Sequence, residues 1–215
     1  MTSVLVVDYG SGNLLSVARA LAHVGAQVSV SGDPDEIGKA ERVVLPGVGA
    51  FGSCVSRLRE LQLFEPLRQF ASGGRPFLGI CVGMQLLFDE SHEFGCHQGL
   101  GLIQGAVQQI PAGCGEERVR KVPHIGWNAL IQPGDGIVWD GTILDGVEIG
   151  DAAYFLHSYA GRPHQQSATL AECDYLGVRL CSVVRNGSAY GCQFHPEKSG
   201  SVGLRILGNF VNKVV

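Results

Sequence analysis

In the first ninety residues, short apolar runs alternate with segments of helical spacing, and the links between them are only a few residues long. Strands joined in this way lie parallel in one sheet, because a parallel neighbour is reached only through a crossover that packs back onto the sheet. Val4 to Val7 form the first apolar run; Gly10-Ser11-Gly12 turn the chain, and Leu14, Val17, Ala18, Leu21 and Ala22 recur at helical spacing. A second strand is predicted from Gln27 to Ser31. It leads to Asp33-Pro34-Asp35-Glu36, where Asp33 suits a helix cap, Pro34 the first helical position and Glu36 the return arm of a capping box. A third strand, Arg42 to Leu45, stops at Pro46. The helical stretch Ser53 to Ser72 is broken before Pro66 and ended by Gly73-Gly74; a buried strand, Pro76 to Ile80, comes next. Cys81 then occupies a strand-to-helix turn, with helical spacing resumed from Met84 to Phe88.

Beyond Gly99 the texture changes. Val107 to Ile110, Val119 to Pro123, Ile137 to Trp139, Tyr154 to Tyr159, Ala168 to Cys173, Arg179 to Val184 and Ala189 to Phe194 read as strands separated by turns, and 201 to 214 as an amphipathic closing helix. The predicted fold is α/β: a mostly parallel central sheet flanked by helices, finished by antiparallel strands in the C-terminal half. No repeat or linker interrupts the pattern, so residues 1–215 are expected to form a single domain.

With 45% hydrophobic and 17% charged residues the chain has enough apolar material for a core and too little charge for disorder. A net charge of −4 removes the long-range attraction that nucleic acid or an anionic membrane normally needs, and neither partner is expected. No run approaches the ~18 apolar residues of a membrane span, and the first residues lack the basic start and cleavage site of a signal peptide. The seven cysteines are an odd set without a C-x-x-C pair, which suits scattered thiols in a reducing compartment. A cytoplasmic location is expected.

Gly79-Ile80-Cys81-Val82-Gly83 has the form of a nucleophile elbow, in which two glycines permit a tight turn between strand and helix. Such a turn lifts the sulfur clear of the sheet, sets it at a helix N-terminus that favours thiolate, and aims the Val82 N–H at an oxyanion. The pentapeptide alone serves equally well as a buried cysteine beside packing glycines. A thiol nucleophile needs a base and the base an orienting group, and His195-Pro196-Glu197 offers both: in an extended segment residues two apart share a side, so Glu197 can hold the His195 ring toward the thiol. Pro46-Gly47-Val48-Gly49 follows the third strand at the carboxyl edge of the sheet, where open α/β folds bind ligands. Val48 or Gly49 there could supply a second oxyanion donor, and the flanking glycines make a peptide flip inexpensive.

Other motifs are incomplete. Gly10-Ser11-Gly12 has Leu15 where a dinucleotide fingerprint needs its third glycine, and Gly32 to Lys39 has the wrong spacing for a P-loop, with Ala40 in place of the magnesium-binding Ser or Thr. His92, Cys96 and His97, or Cys192 with His195, do not make a four-ligand zinc set of standard spacing. No cofactor and no metal are expected.

With Cys81, His195 and Glu197 in this chain order, the sequence resembles the class I glutamine amidotransferases along nearly its whole length. Six segments carry the likeness: Asp8 to Asn13, Pro46 to Phe51, Gly79 to Gln85, Lys121 to Asn128, Tyr154 to Tyr159 and Gln193 to Ser199. The segments at 121 to 128 and 154 to 159 point to the branch that serves histidine biosynthesis. The resemblance implies that Cys81 attacks the glutamine side-chain amide, His195 shuttles the proton and Glu197 orients it. It implies an oxyanion hole from Val82, Val48 and Gly49, and a glutamine pocket from Gly47, Gln85, Glu93, His157, Ser158 and Tyr159. It also implies a heterodimeric partner, a (β/α)8-barrel cyclase that consumes the ammonia, met at or near Asn13, Trp127, Tyr154 and Lys198. The alternative is a paralogous subunit that supplies ammonia to another synthase, such as one that amidates a sugar.

Overall fold

The computed structural model describes residues 1–113, 120–134 and 136–214. In chain order its elements are β1 (Ser3–Val7), α1 (Leu14–His23), β2 (Gln27–Ser31), α2 (Pro34–Lys39), β3 (Val43–Gly47), α3 (Phe51–Glu60), α4 (Phe64–Ser72), β4 (Phe77–Cys81), α5 (Val82–Gln85), β5 (Phe88–Ser91), β6 (His97–Gln98), β7 (Ile103–Gln109), β8 (His124–Ala129), β9 (Ala152–His157), β10 (Tyr159–Pro163), β11 (Thr169–Tyr175), β12 (Val178–Asn186), β13 (Ala189–Cys192) and α6 (Gly200–Asn212). The main sheet has the order β11-β12-β13-β4-β3-β1-β2. From β13 to β2 every neighbour is parallel, whereas β11, β12 and β13 pair antiparallel. This is the expected α/β architecture.

The central strands β3, β4 and β13 are buried along their whole length, as parallel strands covered on both faces must be. Strand β2, at the edge, is mostly exposed. Register fixes the functional edge: Gly47 at the end of β3 lies opposite Cys81 at the end of β4, and Cys192 of β13 lies opposite Ile80. Three segments far apart in sequence therefore leave the sheet side by side at its carboxyl edge. A four-stranded sheet, β10-β7-β5-β6, and the hairpin β8-β9 wall off that edge.

Local signals explain most boundaries. The Asp33 carboxylate accepts from Asp35 N–H at 2.9 Å and Pro34 takes the first helical position, as the sequence predicts. The Asp33 N–H goes to Ser31 Oγ at 3.1 Å, so that donor is met by Ser31 instead of a returning Glu36 side chain. The predicted break before Pro66 is the Leu61–Leu63 link, where Gln62 adopts φ +58°. Pro66 then falls in the first turn of α4, where its missing N–H has no partner to lose.

Four expectations need correction. The helical spacing from Met84 to Phe88 yields only the single turn α5, and Phe88 opens β5; residues 81 to 88 are buried on every side, so periodicity cannot tell helix from strand there. Ile137 to Trp139 join no ladder: Trp139 turns inward and donates to the Leu170 carbonyl at 2.7 Å, while Gln132 Nε2 takes the Ile137 carbonyl at 2.8 Å. Tyr154 to Tyr159 divides at Ser158 between β9 and β10, which belong to different sheets. Of the predicted strand Val119 to Pro123, Val119 lies outside the described residues, and the ladder starts only at His124.

Helix α6 packs on α1 and on the 3₁₀ turn Pro196–Lys198. A Cβ at Gly203 would strike the Pro196 carbonyl, so the helix approaches the His195–Glu197 segment as closely as its backbone allows. Gly203→Ala is expected to destabilise the fold by about 1–3 kcal/mol through this overpacking, read as a lower urea midpoint. An unchanged midpoint would show that α6 can retreat freely.

Candidate active site

The chain leaves β4 through a strained residue. Cys81 adopts φ +56°, ψ −110°, a conformation in which an L-residue is held only by its surroundings. Those surroundings are the flanking glycines. A Cβ at Gly79 would run into the Gly83 carbonyl, and one at Gly83 into the Leu45 carbonyl of β3. Both glycines of the elbow are therefore required by close packing, and the buried sulfur lies 3.9 Å from the Leu156 carbonyl of β9. Helix α5 behind it is only four residues long, so the dipole expected to favour thiolate is that of a single turn. Side-chain donors must do more of that work.

His195 is the first of them. Its ring lies near enough to the Cys81 thiol to be influenced by it, and Nδ1 donates to Glu197 Oε1 at 2.9 Å. That bond fixes the tautomer and leaves Nε2 for the thiol. Glu197 reaches the ring by a route different from the predicted one: Pro196–Lys198 is a 3₁₀ turn, so the carboxylate folds back under the imidazole instead of lying along an extended strand. Ser199 Oγ, which donates to the His195 carbonyl at 2.7 Å and accepts from Tyr154 N–H at 2.9 Å, pins the turn to β9. Burial opposes charge on the His195 ring, but the influence of Cys81 and Glu197 outweighs it and raises the ring to about 9. The ring therefore holds its proton at neutral pH, beside a sulfur able to carry the opposite charge.

In front of the pair lies a cavity of about 490 Å³. Cys81, Val82, Gln85, Glu93, His157, Ser158, Tyr159 and His195 line it, with Val48, Gly49, Asn13 and Lys198. Residues taken from six separate sequence segments thus converge on one space. Gly47 sits behind it, where a Cβ would come within 2.8 Å of the Gly83 nitrogen. Glu93 spends one oxygen on the Phe51 N–H at 2.6 Å, capping α3 from the cavity wall. Gln85 Nε2 donates to the Tyr159 carbonyl at 2.9 Å, which also accepts from His157 Nδ1 at 2.8 Å.

The second oxyanion donor is turned away. Val48 N–H donates to Ser11 Oγ at 3.3 Å, and the Val48 carbonyl accepts from Ser11 Oγ at 2.8 Å and from Cys54 Sγ at 3.5 Å. Gly49, at φ +88°, allows the turn that follows. Trp127 and Tyr154 do not line the cavity: they form a cross-strand pair on the β8-β9 hairpin, their rings 6.0 Å apart. Trp127, Ile125 and Leu156 stand exposed on this hairpin beside the cavity mouth.

Sequence reasoning gave no role to Gln193, Ser11 or His124, all of which bond to the groups above. Gln193 had a signal, since it lies two residues before His195 and shares its side. Ser11 and His124 had none, because their partners are reached only through the folded topology.

A family model for glutamine amidotransferase class-I matches residues 5–214. The chain belongs to the class I glutamine amidotransferase family and is an enzyme of that class. Its similar relatives are subunits of one synthase. It is 47% identical over 211 residues to the imidazole glycerol phosphate synthase subunit HisH 1 of Legionella pneumophila (strain Lens), covering 98% of this chain and 99% of that one. It is 46% identical over 213 residues to the subunit HisH of Geobacter sulfurreducens, covering 98% of each. The HisH of Geobacillus thermodenitrificans is 44% identical over 214 residues, covering 100% of this chain and 97% of that one. Among solved structures, a chain of PurLQS from Thermotoga maritima superposes with a TM-score of 0.73 at 21% identity over 98% of each chain, a likeness of fold. Among the described residues no helix is long and apolar enough to cross a membrane.

Proposed function

We propose that this chain is the glutaminase subunit of a cytoplasmic imidazole glycerol phosphate synthase, hydrolysing glutamine and passing ammonia to a (β/α)8-barrel cyclase subunit in a heterodimer. The cyclase would use it to make imidazole glycerol phosphate and AICAR in histidine biosynthesis. The observation that carries the reading is the convergence of Cys81, His195 and the Gln85 wall on one cavity, in a chain nearly half identical to HisH subunits throughout its length.

The geometry supports this sequence of steps. The Cys81 thiolate attacks the side-chain amide carbon of glutamine, and the oxyanion that forms is held by Val82 N–H and by a second donor from Val48 or Gly49. The His195 imidazolium gives its proton to the departing ammonia, leaving a thioester. Water, deprotonated by the now neutral ring, attacks the thioester and releases glutamate. Glu197 keeps the ring in its tautomer throughout. Ammonia in bulk water at neutral pH is mostly ammonium and not nucleophilic, which favours handing it directly to the partner. Asn13 and Lys198 at the cavity rim, with the exposed Trp127 and its neighbour Tyr154, are the surface we assign to that partner. A contiguous exposed apolar patch of this kind is characteristic of a docking site.

With its N–H bound to Ser11 Oγ, Val48 does not offer a second oxyanion donor in the isolated chain. Ligand at the cyclase site would turn the Gly47-Val48-Gly49 loop and complete the oxyanion hole. Glutamate release should therefore be slow for the chain alone and rise by about 10²–10³-fold in the presence of the cyclase and its nucleotide ligand, the usual worth of one oxyanion donor. Equal rates for the free chain and the liganded complex would overturn the regulation. No stimulation in a proven complex would redirect the search to another ammonia acceptor.

A further inference from the structure

We infer that Gln193 is a further residue of the catalytic machinery: its side-chain amide donates to the Cys81 sulfur and, through Gln85, ties the nucleophile to the wall of the glutamine pocket. The inference rests on the reading of Cys81 as nucleophile.

Strand β13 ends at Cys192, opposite Ile80, and the next residue continues the register, its N–H going to the Ser182 carbonyl at 2.9 Å. Gln193 therefore arrives beside Cys81, with no exposure to solvent. A fully buried amide must bond at both ends or lose stability. Both ends are accounted for, and their identity is forced. The Tyr159 carbonyl can only accept, so the Gln85 atom 2.9 Å from it is the nitrogen. That same nitrogen lies 3.1 Å from Gln193, so the Gln193 atom facing it is the oxygen. The remaining end, Nε2, faces Cys81 Sγ at 3.9 Å. The contact is long, as catalytic hydrogen bonds are in the absence of substrate, and it lies within the reach of an N–H donor to the large sulfur atom.

The chemistry calls for such a donor. The one-turn helix α5 offers little dipole, and His195 cannot hold the thiolate at every step, since it surrenders its proton to ammonia. In the second half of the cycle water attacks the thioester carbon, the C–S bond breaks and its electron pair returns to sulfur. An amide N–H does not titrate and stays a donor through both halves. The same side chain holds Gln85, so sulfur and pocket wall keep a fixed separation.

The test is alkylation of Cys81 by iodoacetamide as a function of pH in the full chain, with each cysteine-containing peptide quantified by mass spectrometry. In the unaltered protein Cys81 should label faster at pH 7 than the exposed Cys96, whose thiol is pushed up by its hydrogen bond to Glu90. Gln193→Met fills the space without a donor; Gln193→Asn keeps an amide that falls short of the sulfur. Each should slow Cys81 labelling at pH 7 about tenfold, since the sulfur loses a donor that favours its reactive form. The buried Cys173, Cys181 and Cys192 should stay unlabelled, which reports an intact fold. An unchanged Cys81 labelling rate in either variant with those three silent overturns the inference. Labelling of the three in both variants makes Gln193 a structural residue and overturns it as well. Should Cys81 in the unaltered protein label no faster than Cys96, the assignment of the nucleophile fails instead.

Discussion

Cys81→Ala should abolish glutamine-dependent turnover of the assembled enzyme while leaving its activity with added ammonium salt intact. Removal of a catalytic nucleophile typically costs four to six powers of ten, about 10⁴–10⁶, and Cys81 is the one thiol among the residues lining the cavity. The substitution is mild structurally. Alanine keeps a Cβ in the strained turn, and neither Gly79, packed on the Gly83 carbonyl, nor Gly83, packed on the Leu45 carbonyl, is touched. The proposed partner subunit does not depend on the sulfur, so ammonia from solution should still reach it. The His195 ring, relieved of the influence of Cys81, should also become less basic, since that influence helps to raise it. An assay of both activities on one preparation decides the matter: loss of the ammonium-dependent activity together with the glutamine-dependent one would place Cys81 in structure or assembly.

The parts of this molecule legible in the sequence are those whose causes are local. Val4 to Val7, Val43 to Leu45 and Phe77 to Ile80 are unbroken apolar runs, and the buried parallel sheet follows from them. The elbow was legible because each of its glycines answers to a single close contact. His195 and Glu197 were found as a pair because they are two residues apart, although a 3₁₀ turn and not an extended strand joins them. What stayed hidden depends on contacts between distant segments. The helix after Cys81 was legible but its length was not, because residues 81 to 88 are buried on all sides and their spacing cannot show where α5 gives way to β5. Ile137 to Trp139 are an apolar run like that of a strand, yet Trp139 is anchored by the Leu170 carbonyl and the segment joins no strand among the described residues. Ser11 holding Val48, and Gln85 holding Gln193, join residues 37 and 108 positions apart.

A steep loss of stability on mild acidification is the second large effect to expect, and two buried histidines cause it. His157 Nδ1 donates to the Tyr159 carbonyl, so its Nε2 must accept from His124 Nδ1, 3.1 Å away. His124 is stacked between Phe155 and Tyr175, with centroids at 4.8 and 4.0 Å. Burial holds both rings neutral, lowering His124 to about 4 and His157 to about 3 from an ordinary 6.5, and the neighbouring His195 adds to the effect on His157. A proton on His157 Nε2 would also point at the N–H of His124. Because the folded values lie below the unfolded one, the contribution of this pair is complete above pH 6.5 and is lost as the pH falls toward 4 and 3. His195 has the opposite sign: raised to about 9, it contributes fully below 6.5 and loses that contribution as the pH rises through 9. Between pH 6 and 4.5 the pair dominates, and stability should fall by about 1–3 kcal/mol per pH unit, between one and two protons being taken up on unfolding. Urea midpoints across that range would show it. His124→Phe, whose ring can occupy the same stack, should roughly halve the slope; a midpoint indifferent to pH in the unaltered protein would refute the account. One cavity therefore divides its imidazoles by environment: His195 is kept charged against the sulfur, and His157 is kept neutral so that it can brace the carbonyl to which Gln85 is also bound.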